Sequence, residues 1–268
     1  MRRFFKSLVI LSAQVLIGCG GQLQDSGKVL SYEEAQKEYL QGIDELAAGN
    51  FEDAVQIFTH LSRGQRYIKY TPLAKLRLGD TYYFQDRFDE AITAYQNFID
   101  TSESDPNLHY AYFKIGDCRF QKIPGEFFLI PPPEQKDQRL MQSALKAIDN
   151  FLEKFPNSPH AIEASKMRDS ALNLVFKHEL SVISFYESRE KGAAVALRIE
   201  GLFETYKESY AIEELHVKLA KSYISAGEVA KTIKICQNYK DLFPAGKYSG
   251  EIAEILKFAA LTQKENEK

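Results

Sequence analysis

Few side chains in this sequence are spaced to do chemistry. The five histidines, His60, His109, His160, His178 and His216, are scattered along the chain. They show neither the spacing of metal ligands nor the order of a catalytic triad. His178-Glu179 is the only adjacent acid–base pair, and no nucleophile holds a motif position beside it. No P-loop, dinucleotide fingerprint, nucleophile elbow or zincin motif occurs. The histidines therefore read as surface or helix-end groups, and neither a catalytic residue, a metal nor a cofactor is expected. The three cysteines, Cys19, Cys118 and Cys236, lie far apart with no C-x-x-C pair, so neither a disulfide scaffold nor a zinc site is indicated. Cys118 and Cys236 fall on helices of different expected hairpins and read as buried free thiols. That leaves Cys19, whose thiol is a nucleophile open to covalent modification.

The setting of Cys19 supports that chemistry. Arg2, Arg3 and Lys6 open the chain, and residues 7–18 form an apolar run interrupted by Gln14. This is the layout of a signal peptide, too short to span a bilayer as a helix. Its end, Leu16-Ile17-Gly18-Cys19, resembles the bacterial lipobox, in which a small residue precedes the cysteine that is lipidated. The resemblance implies cleavage before Cys19 and addition of several acyl chains, palmitate among them, which together anchor stably where one chain is marginal. A plain secretory signal with an incidental cysteine is the alternative. Gly20, standing where Asp would retain such a protein at the inner membrane, implies export to the outer membrane. Residues 1–18 are thus read as a signal peptide and 19–30, rich in Gly, Gln and Ser, as a lipidated flexible tether.

The rest has an ordinary folded composition, 44% hydrophobic, 26% charged and 12% aromatic over 268 residues. The net charge of −3 becomes −6 once the three leading cations are removed, which argues against nucleic-acid binding by bulk charge.

A repeated unit organises the folded part. Residues 72–98, PLAKLRLGDTYYFQDRFDEAITAYQNF, match the tetratricopeptide pattern of small and large residues at most positions. Lys75 replaces the usual Trp, but Leu78, Gly79 and Tyr82 follow at the right spacing, and Ala91 and Tyr95 open the second helix. Gly79 and Ala91 lack bulk where two antiparallel helices touch, and Gln85-Asp86-Arg87 is the short polar turn between them. The expectation is an all-α tetratricopeptide-repeat solenoid of about five hairpins, in ten or eleven helices.

In order, the first hairpin covers 31–61, opened by the capping box Ser31…Glu34, with Gly42 at the small position and Gly49-Asn50 at the turn. The third begins near His109, with Ile115-Gly116 in the Leu-Gly slots. Its second helix is expected only at Ser143, after an insertion at 123–138 that includes Phe127, Phe128 and three consecutive prolines, which exclude helix. Those apolar residues either fold back on the solenoid or dock a partner. A long amphipathic helix follows over 160–189, then a partner helix over 193–206. The fifth hairpin spans 213–243, and 248–263 is a capping helix, with the final KENEK fraying. The domains are accordingly 31–156, repeats 1–3, and 157–268, repeats 4–5 with the cap.

Two segments make a more specific resemblance, DQRLMQSALKAIDNFLEKFPNSPHA and VFKHELSVISFYESREKGAAVALRIEGLFETYKES. With the lipobox and five hairpins, they resemble the BamD family, lipoproteins of the outer-membrane β-barrel assembly machine. The long helix with Glu179-Leu180-Ser181-Val182, Phe185-Tyr186 and Arg189, followed by Arg198-Ile199-Glu200-Gly201, carries the match. The longer, proline-rich insertion and the lack of a proline in Tyr206-Lys207-Glu208-Ser209 depart from the family pattern. The resemblance implies a scaffold without enzymatic activity on the periplasmic face of the outer membrane. It implies binding to a BamA-like barrel subunit through the carboxy-terminal repeats, alongside other assembly-machine lipoproteins. The amino-terminal groove would receive unfolded outer-membrane proteins, at an extended carboxy-terminal signal. In the repeat register that groove presents Tyr39, Ile43, Asp80, Tyr83, Asp117 and Phe120, with Leu76 and Phe113 assigned to core. Arg198 is the candidate for the subunit interface or else a solvated surface group.

Two other readings share parts of this pattern. A tetratricopeptide lipoprotein adaptor for pilus assembly or peptidoglycan synthesis has the same lipobox and groove. An accessory to a periplasmic enzyme would need a catalytic domain for which five hairpins leave no room.

Overall fold

The first helix shows how local sequence sets the architecture. Ser31 accepts a hydrogen bond from the Glu34 backbone N–H (3.2 Å), and the Glu34 carboxylate accepts one from the Ser31 N–H (2.7 Å), a completed capping box. A computed structural model describes residues 31–63, 69–124 and 138–266; Cys19 and the whole of 1–30 lie outside these, as do Phe127 and Phe128. Among the described residues there are eleven α-helices and no strand. They pair as antiparallel hairpins: α1 (Tyr32–Ala48) with α2 (Phe51–Arg63), α3 (Tyr70–Phe84) with α4 (Phe88–Thr101), and α5 (Leu108–Gln121) with α6 (Gln138–Lys154). The fourth joins α7 (Ala161–Glu187) to α8 (Gly192–Thr205). After a 3₁₀ turn, Lys207–Ala211, come α9 (Glu213–Ser225), α10 (Val229–Leu242) and the capping α11 (Ser249–Asn266). This is the all-α tetratricopeptide solenoid the periodicity implies.

Small residues let the helices of a hairpin touch. A Cβ at Gly42 would lie 2.8 Å from the Phe58 ring, and one at Gly116 3.2 Å from Ile148. The turns need left-handed backbone, supplied by Gly49 (φ 80°) and Gly227 (φ 75°), and by Asp86 and Glu190 at some cost.

The core is a series of small clusters, each shared by consecutive hairpins. Ala35, Ala54, Phe58 and Leu61 of the first hairpin pack with Tyr70 and Ala74 of the second. Leu76, Tyr95 and Phe98 pack with Ala111, Ile115 and Cys118 of the third. This nearest-neighbour burial is what makes a single hairpin insufficient. Leu76 and Phe113 are buried, as assigned, and so are both thiols; burial pushes Cys118 up to about 12 and Cys236 to about 11.

Three elements differ from the sequence reading. Helix α6 starts at Gln138 rather than Ser143, because Met141 is buried against Ala171, Leu172 and Val175 of α7 and draws the first turns into the helix. Helix α11 continues to Asn266. His216 is wholly buried instead of lying at a surface or helix end. Its ring sits among Phe203, Tyr239 and Phe243, with centroids 4.9, 6.3 and 5.4 Å away. An imidazole's apolar faces suit that aromatic cage.

Candidate binding groove and docking cleft

Helices α1, α3 and α5 are the first helices of the first three hairpins and carry the groove residues named from the register. Tyr39 and Ile43 are half-buried on α1. The Tyr39 ring packs against Phe58 and Tyr70 at 5.9 and 5.5 Å, and its hydroxyl accepts from Arg77 Nε at 3.3 Å.

Asp80 lies below this surface, fully enclosed. Its carboxylate accepts from Arg77 Nη1 at 2.6 Å, from the Tyr95 hydroxyl at 2.7 Å and from the Tyr110 hydroxyl at 2.8 Å. These donors come from α3, α4 and α5, so one carboxylate ties two hairpins. Burial and the Asp80 charge push both phenols far above the ordinary tyrosine range. Asp117 repeats the arrangement one hairpin on. Its Oδ2 accepts from Lys114 Nζ at 2.6 Å and its Oδ1 from Gln121 at 3.2 Å, with only 10% and 9% of the Lys114 and Asp117 side chains exposed. Lys114 Nζ also lies 3.1 Å from the centroid of the Tyr83 ring, a cation–π contact. Burial, then the neighbouring Asp117, raises the Tyr83 phenol.

Asp80 thus ties the second and third hairpins, whereas Asp117 takes its donors within α5 and meets α3 through the Lys114–Tyr83 contact. Of the residues expected in the groove, Tyr39, Ile43, Tyr83 and Phe120 are half-buried, with Arg77 35% exposed beside Asp80. This wall is aromatic and apolar with one accessible cation. One partner of each aspartate, the cation three residues before it, has a local signal in the sequence. Arg77-Leu78-Gly79-Asp80 and Lys114-Ile115-Gly116-Asp117 are the same four-residue pattern in successive repeats, with cation and acid at i and i+3 on one helix face.

The second site lies in the fourth hairpin. A cleft of about 440 Å³ is lined by Gln142 of α6, Glu179 and Tyr186 of α7, Arg198 and Leu197 of α8, and Tyr206. Arg198 Nε meets Glu179 Oε2 at 3.3 Å, with 44% and 14% of those side chains exposed. Burial, then Glu179, raises the Tyr206 phenol. Leu197, 71% exposed, stands on the same face of α8. An exposed leucine beside a half-exposed guanidinium is a surface that can take both an apolar and an acidic group. No group of His, Cys, Asp and Glu among the described residues could hold a metal ion. Nor is any described helix long and apolar enough to cross a membrane.

The fold defines a tetratricopeptide-type helical-repeat protein. The chain belongs to the YfiO family, whose description is "Outer membrane lipoprotein" and whose family model matches residues 32–224; this is also the BamD family, as its relatives show. It is 24% identical over 246 residues to outer membrane protein assembly factor BamD of Haemophilus influenzae, covering 89% of this chain and 92% of that one. It is 24% identical over 220 residues to the protein of the same name from Caulobacter vibrioides, covering 81% and 69%. Among solved structures, the TPR2AB domain of yeast Sti1 aligns at 10% identity and a TM-score of 0.40, over 86% of this chain and all of that one, too loose a superposition to argue from.

Proposed function

We propose that this chain is a lipid-anchored scaffold, without enzymatic activity, for assembly of β-barrel proteins at the periplasmic face of the outer membrane. The observation that carries this reading is the similarity to relatives named outer membrane protein assembly factor BamD, in one case across 92% of the relative's length. In this reading Arg198 and Leu197 receive a BamA-like barrel subunit, and other assembly-machine lipoproteins join the complex. Tyr39, Ile43, Tyr83 and Phe120 line the place where an unfolded outer-membrane protein is received in extended form. Many weak contacts along stacked helices suit such a guest. Asp80 and Asp117 shape that wall from beneath. Phe127 and Phe128 are a further partner contact in this scheme.

Two expected results test it. Cys19→Ala should leave the protein unacylated and free in the periplasmic fraction; persistent tight membrane attachment without acylation, read by fractionation and mass spectrometry, would refute the anchor. A tagged chain with Cys19 intact, purified from solubilised outer membranes, should bring down a large β-barrel protein with periplasmic repeat domains. Arg198→Glu should cut that recovery by about tenfold or more, the effect of losing a hot-spot residue. Undiminished recovery would remove Arg198 from the interface. Recovery of pilus or cell-wall components without a barrel subunit would move the function to the adaptor class.

A further inference from the structure

The link from α6 to α7 is fastened to α5 by two histidines. His160, the residue preceding α7, makes no capping bond with its side chain. Its ring instead lies flat on Phe113, with centroids 4.4 Å apart and planes 11° from parallel. It also stacks on His109 at 5.8 Å and 29°, and the Tyr110 ring is 5.7 Å away. His109 Nδ1 is 3.2 Å from Ser158 Oγ, which in turn accepts from the His160 backbone N–H. The segment 157–160 is therefore held to α5 through two imidazoles and a serine.

The surroundings favour the neutral His160 ring. From α5, His109 and then Lys114 disfavour a positive charge on His160, and Lys114 is itself paired with Asp117. From α6, Phe151 and Phe155 are apolar and contribute no counter-charge, and Lys154 is turned to the Tyr112 hydroxyl. On α7, Glu163 is the acid that acts on His160. Asp80 stands behind Tyr110 and is already engaged by Arg77.

We propose that the His160 imidazole, laid flat on Phe113 and facing His109, makes the junction of the third and fourth hairpins an acid-sensitive hinge, closed when the His160 ring is neutral and loosened when it takes a proton. Burial, then His109, holds the His160 imidazole below the ordinary value of 6.5; Glu163 opposes this and Lys114 adds to it. The unfolded or loosened chain thus binds a proton more readily than the closed joint. The seat contributes its full stability above pH 6.5 and loses it as pH falls from there through the lowered value. Protonation also puts a charge on a ring that lies flat on Phe113 in a partly desolvated seat. The consequence reaches both sites. Tyr110 carries the hydroxyl that binds Asp80 under the groove, and α7 carries Glu179, the partner of Arg198. The hinge is a property of the fold and stands whether or not the groove holds a guest.

The test is hydrogen–deuterium exchange by mass spectrometry on the full chain in detergent micelles at pH 7.5 and 5.5, with rates scaled to intrinsic chemistry. Segments 105–116 and 155–170 should exchange faster at the acid pH by up to about tenfold, the ceiling set by one pH unit below the ordinary imidazole value, while α11, which carries no histidine, is unaffected. His160→Phe keeps a ring on Phe113 and removes the proton site, so the acid response of both segments should vanish. An acid response as large in the variant as in the parent overturns the proposal, as does its absence in the parent. An NMR titration of the His160 ring gives an independent reading: a midpoint below 6.5 supports the hinge, and one at or above 6.5 refutes it.

Discussion

Gly79→Leu should lower the melting temperature by roughly 10 °C, taking about 3 kcal/mol of lost stability at 2–4 °C per kcal/mol for a chain of this size. A Cβ at this position would already lie 2.6, 2.7 and 2.8 Å from three carbons of the Tyr95 ring. Tyr95 has nowhere to go. It is fully buried, and its hydroxyl is bound to Asp80 at 2.7 Å. Moving the ring breaks that bond, and keeping it forces α3 away from α4. Replacing glycine inside a helix gains about 1 kcal/mol of propensity, well short of the overpacking cost. Gly201 is the internal control, since a Cβ there meets nothing within 4 Å. Gly201→Ala should be neutral or slightly stabilising in the same melt. An unchanged melting temperature for Gly79→Leu would mean the first and second helices of this hairpin do not approach as described.

Asp80→Ala should cost about 4 kcal/mol, seen as a lower urea midpoint with the slope preserved. The carboxylate satisfies two phenols and a guanidinium. Its removal leaves the Tyr95 and Tyr110 hydroxyls without their acceptor, at about 1–3 kcal/mol for each buried group. Arg77 contributes less, because it is a third exposed and water can solvate what the aspartate abandons. Asp80→Asn keeps the volume and one acceptor oxygen and should lose roughly half as much. If the alanine variant were as stable as the parent, the carboxylate would not be the tie between the second and third hairpins.

The solenoid was legible because its signals are local. Gly79 and Ala91 mark a helix–helix approach by size alone, and Ser31 with Glu34 forms the capping box their spacing announces. The long fourth-hairpin helix appeared in the three- and four-residue rhythm of Leu172, Val175, Phe176, Leu180 and Ile183. What is buried between repeats was harder to read. Asp80 takes its last donor from Tyr110, thirty residues on in the next hairpin, and no local period reports on that pairing. An aspartate on an amphipathic helix reads as solvent-facing until its cross-repeat partners are known. His216 was misplaced for the same reason, since its cage is assembled from α8 and α10. Tyr39 and Tyr83 are half-buried on α1 and α3, the first helices on which the register puts them.

Helix α7 carries a last consequence. At 27 residues it is about 40 Å long, nearly twice its partner α8. Its early turns, through Ala171, Leu172 and Val175, close the core under Met141 and Leu145, and its later turns, through Ile183, close the core of the carboxy-terminal hairpins. Phe176 touches both. A boundary at 156/157 can be drawn on paper, but the chain is not severable there. Residues 31–156 alone would bare Met141 and Leu145 to water, and 157–268 alone would begin with a helix whose first turns have lost the surface they cover. The two halves therefore should fold and unfold together around their shared helix.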